Sequence, residues 1–169
     1  VTSTCDGPHD NPTALCLNSA TGNKQIRGFA PGAGLDGGGT TRILYVSGGV
    51  HVVRLVLRDL TLQHGYVGAH YGGAVLVYGT GSTVTATNVH FLHNTAVWGG
   101  AIYFFSGTGI ITDCGFNGNV AEANAGDDIN NYYGTLTVIN SNVNDVYGQI
   151  TNCVGAVTNG YCPREDVCS

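Results

Sequence analysis

Gly72-Gly73-Ala74-Val75 returns 27 residues later as Gly99-Gly100-Ala101-Ile102, and after another 27 as the altered copy Gly126-Asp127-Asp128-Ile129. A second element keeps phase with it: Leu62-Gln63-His64-Gly65, Phe91-Leu92-His93-Asn94, Phe116-Asn117-Gly118-Asn119 and Val143-Asn144-Asp145-Val146, at steps of 29, 25 and 27. A period of 25 to 29 residues marks a solenoid, in which each repeat forms one coil and buries its inner face only by stacking on its neighbours.

Aligning the coils gives columns. Leu55, Val84, Gly109, Leu136 and Leu57, Ala86, Ile111, Val138 are apolar and two residues apart, as one face of a strand requires. A polar column follows, Asp59, Asn88, Asp113 and Asn140, then Leu60, Val89, Cys114, Ser141 and Leu62, Phe91, Phe116, Val143. Asp and Asn tolerate a left-handed backbone and bond their own main chain, so this polar column is read as a corner, with a ladder of stacked side chains running along it. Gly-Gly supplies a second bend, after which Ala-Val-Leu-Val or Ala-Ile-Tyr-Phe forms the next strand. An earlier coil contains Leu35 to Gly39 and Ile43 to Val46, so four to five coils are expected. Strands repeating once per coil run parallel, and the inward columns dominate stability at roughly 1.5 to 3 kcal/mol per buried side chain. The expected fold is all-β, a single domain over 1–169. Residues 1–34 are an N-terminal cap and first coil entry, 35–149 the coils, and 150–169 a Cys-rich cap.

The Gly-Gly-Ala-Ile element paired with Phe-x-x-Asn resembles the repeat of the polymorphic outer membrane proteins. The stretch Leu35 to Gly65 is similar to secreted β-helix proteins of the pectate-lyase-like superfamily. The resemblance spans about residues 26 to 146 and implies a right-handed parallel β-helix. It does not fix a function, because such proteins include adhesins, surface proteins and polysaccharide-cleaving enzymes.

Cys5, Cys16, Cys114, Cys153, Cys162 and Cys168 are an even set clustered towards the two ends, which favours an oxidising, extracellular setting. Short loops close most easily, giving the pairs Cys5 with Cys16, Cys162 with Cys168 and, by remainder, Cys114 with Cys153. These would clip the ends of the stack. A chain that begins at Val1 and lacks methionine reads as a processed secreted form. No apolar run reaches the 18 or so residues of a spanning helix. A net charge of −5 with Lys24 as the single lysine argues against a phosphate-tracking nucleic-acid surface.

Candidate chemistry is sparse. Enzymes on this fold use paired carboxylates, or calcium-holding acids beside a base, and Asp127-Asp128 is the nearest match. It follows His64-Gly65, whereas the resemblance to polygalacturonases would want Gly-Asp-Asp before Gly-His-Gly. Replacement of Gly100 and Ala101 at a bend accounts for the same pair. Glu122, Asp127 and Asp128 are also a candidate calcium set. His64 and His93 occupy equivalent places on neighbouring coils, close enough to stack or to share a metal, with stacking the commoner outcome, while His90 faces outward. Arg54 and Arg58 alternate with Leu55 and Leu57 and are read as surface partners of Asp59. Tyr66, Tyr71, Trp98, Tyr132 and Tyr133 lie in bends, where rings either shield strand edges or form a surface for sugars or protein.

Two functional readings follow. The first is a non-catalytic extracellular structural or surface protein, with copies adding head to tail into fibres or layers. The second is a polysaccharide-binding or polysaccharide-cleaving β-helix protein. No cofactor is expected.

Overall fold

The computed structural model describes residues 13–154. Every strand pairing within them is parallel, and no helix occurs among them. The chain winds as a β-solenoid of about five turns. The first sheet stacks Thr13–Asn18, Arg42–Ser47, Val75–Tyr78, Ile102–Phe104, Ile129–Asn131 and Val146–Gly148 in that order. The second is built on Val53–Gln63 and Ser82–Leu92, with Thr108–Thr112, Thr135–Ile139 and Asn152–Val154 on one side and Lys24–Arg27 and Gly34–Asp36 on the other. Thr95–Ala96 and Val120–Ala121 form a short third sheet.

The register matches the columns read from the repeat. Leu55 pairs with Val84, Val84 with Gly109, and Gly109 with Leu136, while Leu57, Ala86, Ile111 and Val138 stack beside them. These side chains are buried and join Leu17, Leu44, Val75, Ile102, Ile129 and the first sheet's other inner residues in one continuous core. Phe91 and Phe116 stack at 4.7 Å with an interplanar angle of 11°.

The polar column is a left-handed corner. Asp59, Asn88, Asp113 and Asn140 have φ of 55°, 53°, 52° and 47°, a region that Asp and Asn occupy at less cost than other residues. A second left-handed column runs through His64, His93 and Gly118 at φ 51°, 52° and 64°. Gly72, Gly99 and Gly126, at φ 61°, 62° and 72°, open the strands of the first sheet, and a Cβ on Gly73 would stand 2.4 Å from the Gly100 carbonyl oxygen.

Three expectations change. The ladder extends beyond 35–149 on both sides, from Thr13 to Val154, and the last coil is short: Ile129 pairs with Val146, only 17 residues on. Cys114 and Cys153 do not form a disulfide; both are buried thiols. Cys153 stacks on Val138, in the column of Ile111, whereas Cys114 lies in the column of Leu60 and Val89. Two rungs of about 4.8 Å separate their coils, beyond the span a disulfide bridges. Burial pushes the Cys114 thiol up to about 11. Cys16 is disulfide-bonded; Cys5, Cys162 and Cys168 lie outside the described residues. Finally, Asp59 pairs with Arg27 at 3.0 Å. Its neighbouring coil brings Arg27 level with Arg58, so the contact is across the ladder and not along the strand.

Candidate functional site: an aromatic cleft on the first sheet

Period two settles which residues of the first sheet face out. Leu44, Val46, Ile102 and Phe104 enter the core, so Tyr45, Tyr103 and Phe105 project from the opposite face. Register stacks Tyr45, Leu76, Tyr103, Asn130 and Tyr147 in one outer column. Tyr71 and Trp98 form a flanking column as an isolated parallel bridge, their rings stacked at 5.0 Å and 20°. Tyr71 also meets Tyr103 at 4.7 Å. On the other flank Tyr78 stacks on Phe105 at 4.9 Å, and Phe105 meets Tyr132 at 6.0 Å.

The ladder of rings breaks below Trp98 and Tyr103. The next residue in Trp98's column is Ala125, since Gly72 bonds the Trp98 carbonyl as Gly99 bonds that of Ala125. The next in Tyr103's column is Asn130. Small residues where rings are due leave a cleft of about 500 Å³, closed by Tyr147 on the following rung and bordered by Phe105, Tyr132 and the 123–125 loop. Among the described residues no charged side chain lines it.

Asn130 forms part of the lining and is 2% exposed; its Nδ2 donates to the Ala125 carbonyl at 3.1 Å, and its Oδ1 has no hydrogen-bond partner. Burial, then Tyr71, Tyr132 and Tyr133, raise Tyr103 far above the ordinary range. A hydrogen bond with Tyr133, and that ring's proximity, raise Tyr132. Uncharged rings around an uncharged amide can bind flat, hydroxylated, uncharged matter.

Of the five aromatic residues singled out in the sequence, Tyr71, Trp98 and Tyr132 meet at this cleft. Tyr133 packs on Tyr132 at 4.2 Å and is 70% exposed at the rim. Tyr66 is elsewhere, bridged to Thr95. Tyr103, Phe105 and Tyr147 were missed, although alternation with Ile102 and Phe104 marked the first two as outward.

Asp127 and Asp128 do not reach the cleft. Asp127 Oδ1 accepts from the Ala121 N–H at 2.7 Å. Asp128, buried, accepts from Asn119 Nδ2 at 2.9 Å and from the Asn144 N–H at 2.7 Å. Burial raises its pKa, opposed by those bonds. Both carboxyls are tied into the scaffold at the positions of Gly100 and Ala101. Glu122 is exposed, and among the described residues no three His, Cys, Asp or Glu side chains come together as metal ligands. His64 and His93 stack at 6.0 Å and 10°, with Asp36 Oδ2 3.1 Å from His64 Nδ1; His90 is exposed.

No family model, curated protein or solved structure matches the chain.

Proposed function

We propose that this chain is a non-catalytic, extracellular polysaccharide-binding β-solenoid, akin to the secreted β-helix proteins of the pectate-lyase-like superfamily, with the cleft of the first sheet as its binding site. The observation that carries the reading is the grouping of Tyr71, Trp98, Tyr103, Phe105, Tyr132 and Tyr147 around one opening. Aromatic faces bury the C–H faces of sugars while hydroxyls bond at the edges, which is how rings with polar neighbours gain both affinity and orientation. Binding without cleavage is favoured over catalysis because Asp127 and Asp128, the candidate acid pair, are spent on backbone and Asn partners. It is favoured over a purely structural fibre subunit because the rings open on the outer face of the first sheet, and only Tyr147, on the edge strand Val146–Gly148, adjoins an end of the stack.

Affinity electrophoresis through gels containing soluble polysaccharides tests it. Retardation by at least one polymer, lost in Tyr132→Ala and kept in the Asp127→Asn, Asp128→Asn double variant, supports the reading. Release of reducing ends that the double variant abolishes would replace it with an enzymatic one. No retardation by any polymer would remove it.

A further inference from the structure

The cleft is a gap in a ladder, and its shape says what fits. Tyr71 and Trp98 set the ring spacing at 5.0 Å; Tyr103 and Tyr147 lie two rungs apart with only Asn130 between them, which leaves about one rung of roughly 4.8 Å for an inserted ring. The geometry points to a seat for one neutral pyranose unit, sandwiched between Trp98 with Tyr103 on one side and Tyr147 on the other, with Asn130 on the floor as its hydrogen-bond acceptor. The inference rests on the polysaccharide-binding reading and narrows it to uncharged sugars.

Two observations beyond the rings support this assignment. A uronate would bring a carboxylate into a cleft with no cation on its lining among the described residues, and an unpaired charge taken from water into such surroundings is heavily penalised. A neutral unit carries no such cost. The Asn130 Oδ1 is buried without a partner while its Nδ2 is fixed on the Ala125 carbonyl. Buried acceptors in this condition are uncommon and costly. A hydroxyl donor seated in the gap supplies the missing bond once a small shift of the Asn130 side chain uncovers the oxygen, which is closed to solvent as it stands; a purely apolar occupant such as a phenyl ring cannot supply it. Ala125 is what keeps the gap open, since a ring at that position would continue the Tyr71 and Trp98 stack.

Trp98 is the single tryptophan of the chain, so its emission reports occupancy directly. The intact protein is titrated with cellohexaose, mannohexaose, laminarihexaose and hexagalacturonate. The expected result is a saturable change in Trp98 emission with at least one neutral hexasaccharide and at least tenfold weaker binding of hexagalacturonate. Ala125→Tyr, which fills the gap, should weaken the neutral ligand at least tenfold without loss of thermal stability. Asn130→Leu, which keeps the volume but removes the acceptor, should weaken it about tenfold; folding of both variants is checked by their far-UV spectra. Hexagalacturonate binding as tightly as the neutral sugars, or undiminished binding by Ala125→Tyr, would overturn the seat while leaving polysaccharide binding intact. Retention of a polymer in gels without any Trp98 response would also overturn the seat. Failure of every polymer and oligomer to bind would sink the broader reading as well.

Discussion

Asn94 gives Asn119 two hydrogen bonds, its backbone N–H at 3.1 Å and its Nδ2 at 3.0 Å, both to the same Oδ1. Neither side chain touches water appreciably. Asn94 Nδ2 also reaches the Leu62 carbonyl and Asn119 Nδ2 the Phe91 carbonyl, and on the next coil Asn144 Nδ2 reaches that of Phe116. Asn94 Oδ1 accepts from the Gly65 N–H at 2.8 Å. The ladder therefore binds each coil to the one above it at the corner where the backbone leaves the second sheet.

Removing its middle member should be expensive. In Asn119→Ala the Asn94 N–H loses its acceptor and Asp128 Oδ1 loses its donor, and each buried group left unpaired costs about 1–3 kcal/mol. Urea unfolding should show a loss of about 2–4 kcal/mol. A loss below about 0.5 kcal/mol would mean water substitutes freely at this corner and the ladder is not a structural element.

The corners of the second sheet give a contrast within one position. Asn88, at φ 53°, sits where a left-handed backbone costs a β-branched residue about 1–2 kcal/mol and costs glycine nothing comparable. Asn88→Val should lower stability by that amount or more, since the bond from Asn88 Nδ2 to Asp59 Oδ1 at 3.0 Å goes too. Asn88→Gly should cost only a fraction of it. Equal losses in the two variants would assign the effect to the side-chain bond alone.

Acid should weaken the first coils through Asp36. Its carboxyl is lowered from 3.8 to about 2, chiefly by the Gly38 N–H and then by Gln63 and His64. A depressed folded-state value means a contribution that is complete above the unfolded value of 3.8 and disappears as pH falls towards 2. Asp59, lowered by Asn88 and Arg27, acts in the same direction. Thermal midpoints measured between pH 5 and pH 2 should fall more steeply for the native chain than for Asp36→Asn. Parallel curves would show that the unfolded chain lowers Asp36 equally.

The coils were legible because stacking turns sequence period into spatial register: Leu57, Ala86, Ile111 and Val138 could be aligned without coordinates and lie atop one another in the fold. The corner residues were legible for the same reason, because few side chains accept a positive φ. The cleft was half legible. Tyr71, Trp98 and Tyr132 were visible as rings in bends, but Tyr103 and Phe105 were hidden inside a run that reads as core, Ala101 to Phe105, until alternation assigned them outward. The emptiness beside them is carried by Ala125 and Asn130, and small residues in a bend send no signal unless their column is already known. The Cys114–Cys153 pair was read by remainder, with no column behind it: Cys153 pairs with Val138, whereas Cys114 lies in the column of Leu60 and Val89.

Gly109 shows how the core absorbs an apparent defect in its pattern. It stands in a column between Val84 and Leu136, where valine would suit both the strand and the face. The space is taken: a Cβ on Gly109 would lie 2.4 Å from Phe104 Cζ and 3.0 Å from Leu136 Cδ1. The ring of Phe104, buried on the facing first sheet, fills the place of the absent side chain. Gly109→Ala should therefore destabilise by about 1–3 kcal/mol, the range of overpacking, despite improving strand propensity. Phe104→Leu should also destabilise, by opening the space that the ring occupied. Combined, the two changes relieve each other, and the double variant should be more stable than the sum of the single losses allows by about 0.5–3 kcal/mol. Strict additivity in that cycle would mean the two residues do not share one volume, and that the glycine is tolerated there for its backbone alone.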